Sequence, residues 1–472
     1  MNIADSNYIL KCPLCSREYQ DDEKFRMKCD LEDNGKHPPA LLKAVYKKKQ
    51  IEYKPDLLGV FAYLDWLPTN YHYIDSDILG KPYTYKSEGL ANRLGLKKLY
   101  IAFSGYWPEA GVSLTTRTFK EFECQVNYVR YLVANHKSSN VRPFIVASAG
   151  NTANGYNLLS SILEVPVFLS IPLTGLKNIV LPYKTSPFIV CVKGDYSDAI
   201  DLANLLSQKL NLVNDGGVRS VGRRAGLGAV MLNAVAHPEY GTKELFHHYF
   251  QAVGSGAGAI ATWEIVQQLL IDERFGANKT KIHMAQNLPF TPIPDSWETG
   301  RNILIDLPEE QAKEKIQSTT AQNLTNRYPP YSIAGGVFDT LKSSNGMTWK
   351  VPNSSLFESA RIFRKAEGVD IGPNAAVAVD ALRQAVESGV VKTDERILLH
   401  ITGGGKEIQY DSGNTFKAEP TIVVKPGDYK SVLEIVKSIP VINRPLKKLK
   451  QYKCLYPSKL SSRTECIYSP AK

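Results

Sequence analysis

No run of apolar side chains in this 472-residue chain approaches the ~20 residues that cross a bilayer. The opening residues, Met1 to Cys12, have no basic stretch leading into an apolar core, so no secretory signal is visible and a cytoplasmic protein is the expectation. Cysteine is scarce. Seven is an odd and sparse number for this length, which argues for thiols or metal ligands over a disulfide framework. Internal repeats and low-complexity tracts are also missing. Acidic residues are outnumbered, 47 against 57 Lys and Arg, for a formal charge of +10. That excess invites a nucleic-acid partner, but its location argues otherwise. Residues 444–472 hold eight Lys/Arg and one acid, Glu465, so this tail contributes +7 and the other 443 residues only +3. The tail has tyrosines but no recognition module, and reads as a solvated or loosely docked extension. Neither nucleic acid nor a membrane is expected as a partner.

What is present is a chain with 43% hydrophobic side chains, enough for one large or two medium cores. Residues 1–50 form a polar, cysteine-bearing lead-in. From about residue 95 the pattern becomes α/β. Leu99–Phe103, Arg142–Ala147, Val165–Ile171, Phe188–Val192, Lys281–Ala285 and Arg396–Ile401 read as buried strands. Helical spacing runs over Thr118–Ala134, Thr152–Leu163, Tyr196–Lys209 with Asp195 as N-cap, Ala259–Leu270 and Asn374–Ser388. Residues 291–360, richer in Pro, Asn and Ser, read as loop-heavy. Strands alternating with helices imply parallel sheets covered on both faces. Two such sets suggest two α/β units with a cleft between them, where open parallel sheets put their ligands.

Four features carry chemistry, in a fixed order along the chain. Thr118-Phe119-Lys120-Glu121 offers an amine on the first turn of a helix. Ser148-Ala149-Gly150-Asn151-Thr152 sits at a strand-to-helix junction, where outward N–H groups and small residues let a carboxylate approach the backbone. Gly254-Ser255-Gly256-Ala257-Gly258 opens another helix and suits a phosphate. It is not a dinucleotide fingerprint, because no acidic residue follows at the right distance after a second strand. Thr402 places a hydroxyl at the end of Arg396–Ile401. Gly222-Arg223-Arg224-Ala225-Gly226 and Arg117 add planar, bidentate donors for a second anion, with Arg117 and Arg224 the residues chosen. Cys12-x-x-Cys15, Cys29 and His37 have zinc-ligand character at an unusual spacing, without a second Cys-x-x-Cys half; a metal-free knuckle is the alternative, and the sequence leaves the metal unknown.

A lysine, a carboxylate-sized cradle, a phosphate-sized cradle and a strand-end hydroxyl, in that order, resemble the pyridoxal phosphate (PLP) enzymes of the tryptophan synthase β type, fold type II. Phe103-Ser-Gly-Tyr-Trp-Pro-Glu109, Thr118-Phe-Lys-Glu121, Ala252-Val-Gly-Ser-Gly256, Gln286-Asn-Leu-Pro-Phe290, Glu367-Gly-Val-Asp370 and Ile401-Thr-Gly-Gly-Gly405 are similar to the cysteate synthases, a family paralogous to threonine synthase. Threonine synthases usually carry Ser-Phe-Lys-Asp at the lysine and lack the Gly-Tyr-Trp-Pro element. The resemblance covers most of residues 8–435. It implies a two-domain fold of three-layer αβα units with PLP in the cleft between them. The implied division is a lead-in over 1–50, a large PLP-binding domain over 51–115 and 236–440, a small domain over 116–235 and a basic tail over 441–472. It also implies that Lys120 forms the Schiff base, Asn151 contacts the cofactor ring, and Gly254, Ser255, Gly256, Ala257 and Gly258 hold its phosphate. Thr402 would meet the ring nitrogen, where a hydroxyl makes a weaker electron sink than a carboxylate and suits elimination at Cβ. Ser148, Ala149, Gly150 and Thr152 would hold the substrate carboxylate, and Arg117 and Arg224 the second anion. The implied reaction joins O-phospho-L-serine and sulfite through an aminoacrylate to give L-cysteate and phosphate, in a homo-oligomer. Threonine synthase acting on O-phosphohomoserine, or another β-substituted amino-acid synthase, is the alternative.

Overall fold

The computed structural model describes residues 6–21, 25–69, 79–135, 142–148, 150–163, 167–181, 187–407, 416–428 and 432–435. Two sheets organise the chain. One has six strands in the order Met347–Val351, Lys281–Asn287, His248–Ala252, Arg396–Ile401, Lys98–Phe103 and Thr84–Lys86. All its neighbours pair in parallel except the edge strand Thr84–Lys86, which is antiparallel to Lys98–Phe103. The other has five parallel strands in the order Val213–Asn214, Phe144–Ala147, Val167–Pro172, Phe188–Val192 and Ile422–Val424. Their near-continuous apolar runs follow from burial on both faces. Leu99, Ile101, Ile397 and Leu399, for example, share one core with Ala376, Val379 and Leu382 of the helix Pro373–Glu387.

The helices Lys120–Asn135, Val221–Ala236 and Ala257–Asp272 pack side by side. Gly226 lets the first two approach: a Cβ there would collide with the Phe122 carbonyl, so any larger residue drives the helices apart. Several boundaries coincide with those read from the sequence, and Asp195 caps Tyr196–Leu210 as expected. Its carboxylate accepts from Ser197 N at 2.8 Å and Asp198 N at 3.2 Å, and Asp198 bonds back to Asp195 N.

Two expectations are corrected. Residues 291–360 carry the helices Pro292–Glu298, Glu309–Ser318, Val337–Ser344 and Asn353–Glu367 and the strand Met347–Val351. Their prolines mark helix starts: Pro292 opens one helix, and Pro308 and Pro352 are N-caps, positions where the missing N–H costs nothing. The expected division also ran the larger unit through residue 440, yet Ile422–Val424 crosses over to pair with Phe188–Val192 in the five-stranded sheet. The N-terminal lead-in includes a three-stranded antiparallel sheet, Glu18–Tyr19, Tyr8–Lys11 and Lys43–Tyr46. Residues of the basic tail beyond 435, and Ala149 in the first cradle, lie outside the described residues. Among the described residues no helix is long and apolar enough to cross a membrane.

Candidate active site

Lys120 begins its helix against the end of the strand Arg396–Ile401. Phe119 N donates to the Thr402 carbonyl at 3.2 Å, Thr118 bridges Gly403 antiparallel, and Gly404 N donates to the Arg117 carbonyl at 3.3 Å. These bonds fix the amine-bearing turn relative to the strand end. One cavity of about 130 Å³ opens there, beyond the carboxyl ends of Phe144–Ala147, His248–Ala252 and Arg396–Ile401. Lys120, Ser148, Gly150, Asn151, Thr152, the whole run Gly254–Gly258 and Thr402 all line it. The four separated sequence features are thus brought to one space.

The cradles are built from backbone. Ser148 Oγ accepts from Gly150 N and Ala153 N, each at 3.0 Å, and so caps the helix Asn151–Leu163. Gly256, at φ +79°, is the N-cap of Ala257–Asp272; that left-handed turn aims the first amides of the helix at the cavity, and a Cβ on it would lie 2.7 Å from Val337 Cγ2. The first bond of the ladder is Ile260 N to the Gly256 carbonyl, 2.9 Å, so the amides before it have no intrahelical acceptor.

A buried charge chain runs from the lysine. Lys120 Nζ lies 3.3 Å from Glu123 Oε2. Glu123 Oε1 accepts from Arg223 Nη2 at 2.6 Å and from Thr152 Oγ1 at 2.8 Å, and Arg223 Nη1 pairs with Asp215. Burial pushes the Lys120 amine below its ordinary value; Glu123 opposes the fall and Arg223 adds to it. Burial alone would raise the Glu123 carboxyl, but Arg223 and Lys120 outweigh it and hold the group below its usual range. The lysine is therefore inclined toward the neutral amine that imine formation needs. Behind it, the His400 ring meets Phe119 edge-on at 5.1 Å and bonds Ser104 Oγ at 3.1 Å and the Tyr249 hydroxyl at 2.7 Å. Burial, with help from Lys120, lowers that imidazole to about 3, so it stands neutral.

The two arginines chosen from the sequence do not reach the cavity. Arg117 turns back, at φ +57°, to donate to the Gly405 carbonyl at 2.6 Å and to lie over the Tyr106 ring at 5.0 Å. Arg224, 1% exposed, is committed to Glu264 at 3.0 Å and to the carbonyls of Leu42 and Val218. Its neighbour Arg223 is the one that lines the cavity. Sequence reasoning also missed Glu123, Asp215, Tyr196, Asn374 and the segment Asn323–Asn326; apart from Glu123 and Asp215, which stand behind Arg223, these line the cavity. The only available signal was the i, i+3 pairing of Lys120 with Glu123. Cys12, Cys15, Cys29 and His37 converge elsewhere.

These residues fit PLP. A half-buried amine facing the cavity suits an aldehyde, and a helix N-terminus opened by Gly256 suits a phosphate. Asn374 Oδ1 is buried, faces this cavity's wall and has no protein partner among the described residues, leaving a polar group for a ligand to satisfy.

Comparison with known proteins agrees. The family described as pyridoxal-phosphate dependent enzyme matches residues 113–403. The chain is 38% identical over 426 residues to the cysteate synthase of Methanosarcina acetivorans, covering 89% of this chain and 97% of that one. It is 40% identical over 408 residues to the cysteate synthase of Methanocella paludicola, covering 85% and 90%. Among solved structures, maize serine racemase matches with a TM-score of 0.51 at 14% identity, over 69% of this chain and 89% of its own. Diaminopropionate ammonia lyase from Escherichia coli matches with a TM-score of 0.51 at 16% identity, over 68% and 84%. These two likenesses concern the fold alone.

Proposed function

The chain belongs to the pyridoxal-phosphate dependent enzymes of fold type II and, within them, to the cysteate synthases, and on that premise we propose that it replaces the phosphate of O-phospho-L-serine with sulfite, giving L-cysteate and phosphate. The supporting observation is the convergence of Lys120, the 148–152 turn, the 254–258 turn and Thr402 on one cavity. We read the protein as a cytoplasmic homo-oligomer that works on small molecules, without nucleic acid or membrane.

PLP, when bound, supplies the electron sink that loosens the bonds at the amino-acid Cα. Lys120 would hold its aldehyde, Asn151 and Thr402 its ring, and the amides of Gly254–Gly258 its phosphate. The Lys120 amine would take the proton from Cα of the substrate and later return it. Glu123, clamped by Arg223 and Thr152, is the counter-charge that steadies the ammonium between those two events. The helix N-terminus at Asn151 receives the substrate carboxylate. Arg223 is already engaged by two carboxylates, so the leaving phosphate and incoming sulfite fall to the neutral donors Asn323 and Asn326 on the facing wall.

The test is phosphate release by the PLP-loaded protein from O-phosphoserine and from O-phosphohomoserine, each with and without sulfite. Release from phosphoserine, with cysteate only when sulfite is present, is the expected result. Release from phosphohomoserine alone overturns the proposal.

A further inference from the structure

We propose that Cys12, Cys15, Cys29 and His37 bind one zinc ion, which staples the N-terminal sheet to the wall of the active site. The ligand atoms of all four lie within 4.8 Å of one another. Cys12 Sγ is 3.6 Å from His37 Nε2, and Cys15 Sγ is 3.6 Å from Cys29 Sγ. Tetrahedral zinc with Zn–S of about 2.3 Å and Zn–N of about 2.0–2.1 Å puts two sulfurs about 3.8 Å apart and a sulfur and a nitrogen about 3.5 Å apart. Both contacts match that edge length, whereas a disulfide would unite only two of the four residues and leave Cys12 and His37 unexplained.

The surroundings suit a closed, structural site. His37 Nδ1 donates to the Pro38 carbonyl at 2.7 Å, which fixes the tautomer and leaves the Nε2 lone pair aimed at Cys12. The Tyr19 hydroxyl lies 3.0 Å from Cys29 Sγ, placed to donate to that sulfur once it is a zinc-bound thiolate. Four protein ligands leave no open position, and three thiolates favour zinc over magnesium or calcium. The local core is small, comprising Tyr8, Leu10, Cys12, Cys29, Ala40, Leu42 and Val221, the kind of satellite that needs a staple.

The same segment braces the catalytic cavity from behind. Glu32 pairs with Arg219 at 2.8 Å, Asp21 with Arg130 at 2.7 Å, and the Met27 sulfur occupies the space that a side chain on Gly216 would need. Residue 215, next to Gly216, is the aspartate that pairs with Arg223. Zinc therefore acts at a distance, by holding the turn that positions Asp215 and hence Arg223; it is a positioning element and touches no reacting atom.

The test is metal analysis of the untagged, full-length, PLP-loaded protein. It should contain close to one zinc per chain, resistant to dialysis against a chelator and released by a thiol-directed mercurial. Zinc X-ray absorption should fit three sulfurs and one nitrogen. His37→Cys should retain the zinc with four sulfurs, while Cys15→Ser should lose it; should Cys15→Ser fail to fold, the absorption spectra of the native protein and of His37→Cys still decide. Only trace zinc, a first shell of oxygen and nitrogen, or a Cys15–Cys29 disulfide in the non-reduced protein would each overturn the proposal. None of these readouts depends on which substrate the enzyme takes.

Discussion

Glu123 stands one helical turn beyond Lys120, with Oε2 3.3 Å from the amine and Oε1 2.6 Å from Arg223. One buried carboxylate thus joins the reactive amine to a buried guanidinium, and its removal acts on both. Glu123 sustains the proton affinity of Lys120, while burial and Arg223 depress it. Glu123→Gln therefore lets the amine stand neutral at lower pH. The midpoint of PLP uptake by the apoprotein, followed by absorbance against pH, should move to lower pH in this variant. The protein should also lose about 3–5 kcal/mol of stability, since Arg223 is left short of a partner.

Adjacent arginines separate catalysis from architecture. Arg224→Met should lower stability by about 3 kcal/mol or more, read from denaturant unfolding, because Glu264 and the carbonyls of Leu42 and Val218 lose their donor. The KM of the folded Arg224→Met protein for O-phosphoserine should stay within about twofold. Arg223→Met should instead lower kcat, since it frees Glu123 beside Lys120. Equal effects on kcat in both folded variants would contradict the geometry.

That distinction shows where the sequence stops. Arg396–Ile401 and Phe188–Val192 were legible because apolar runs of strand length end at turn residues. The two cradles were legible because small residues follow strands and open helices. Arg223 and Arg224 were not separable: neighbours on a helix point about 100° apart, and nothing local sets the origin of that angle. The helices of 291–360 were hidden by prolines that start helices as readily as they interrupt them. The crossover of Ile422–Val424 was illegible because its partner strand lies more than two hundred residues earlier, and parallel pairing at that range leaves no local mark.

Glu121 predicts a pH effect on stability. Its carboxylate accepts from Gly80 N and Thr116 N, each at 3.0 Å, yet burial raises it to about 7. In the unfolded chain it titrates near 4.5. Between those values the folded state keeps a proton that the unfolded state has lost, so stability is full below about pH 4.5 and falls as pH rises through about 7. The contribution is on the order of 3 kcal/mol. The stability difference between wild type and Glu121→Gln should move in favour of the variant by about that amount from pH 4.5 to pH 8. An unchanged difference at the two pH values would remove this assignment.

Gly256→Ala should weaken the phosphate cradle. The new Cβ meets Val337 at 2.7 Å, and an L residue at this φ costs about 1–2 kcal/mol. PLP affinity, measured by fluorescence titration of the apoprotein, should fall at least tenfold, while Gly276→Ala, at a glycine of similar φ with nothing within 4 Å, should leave it unchanged.

The most direct test of the account follows the product. PLP-loaded wild-type protein given O-phosphoserine and sulfite should form cysteate and phosphate in equal amounts, and Lys120→Ala should form essentially neither while losing the absorbance of the lysine-bound cofactor. Cysteate formation by Lys120→Ala at the wild-type rate, or phosphate without cysteate from the wild type in the presence of sulfite, would contradict it.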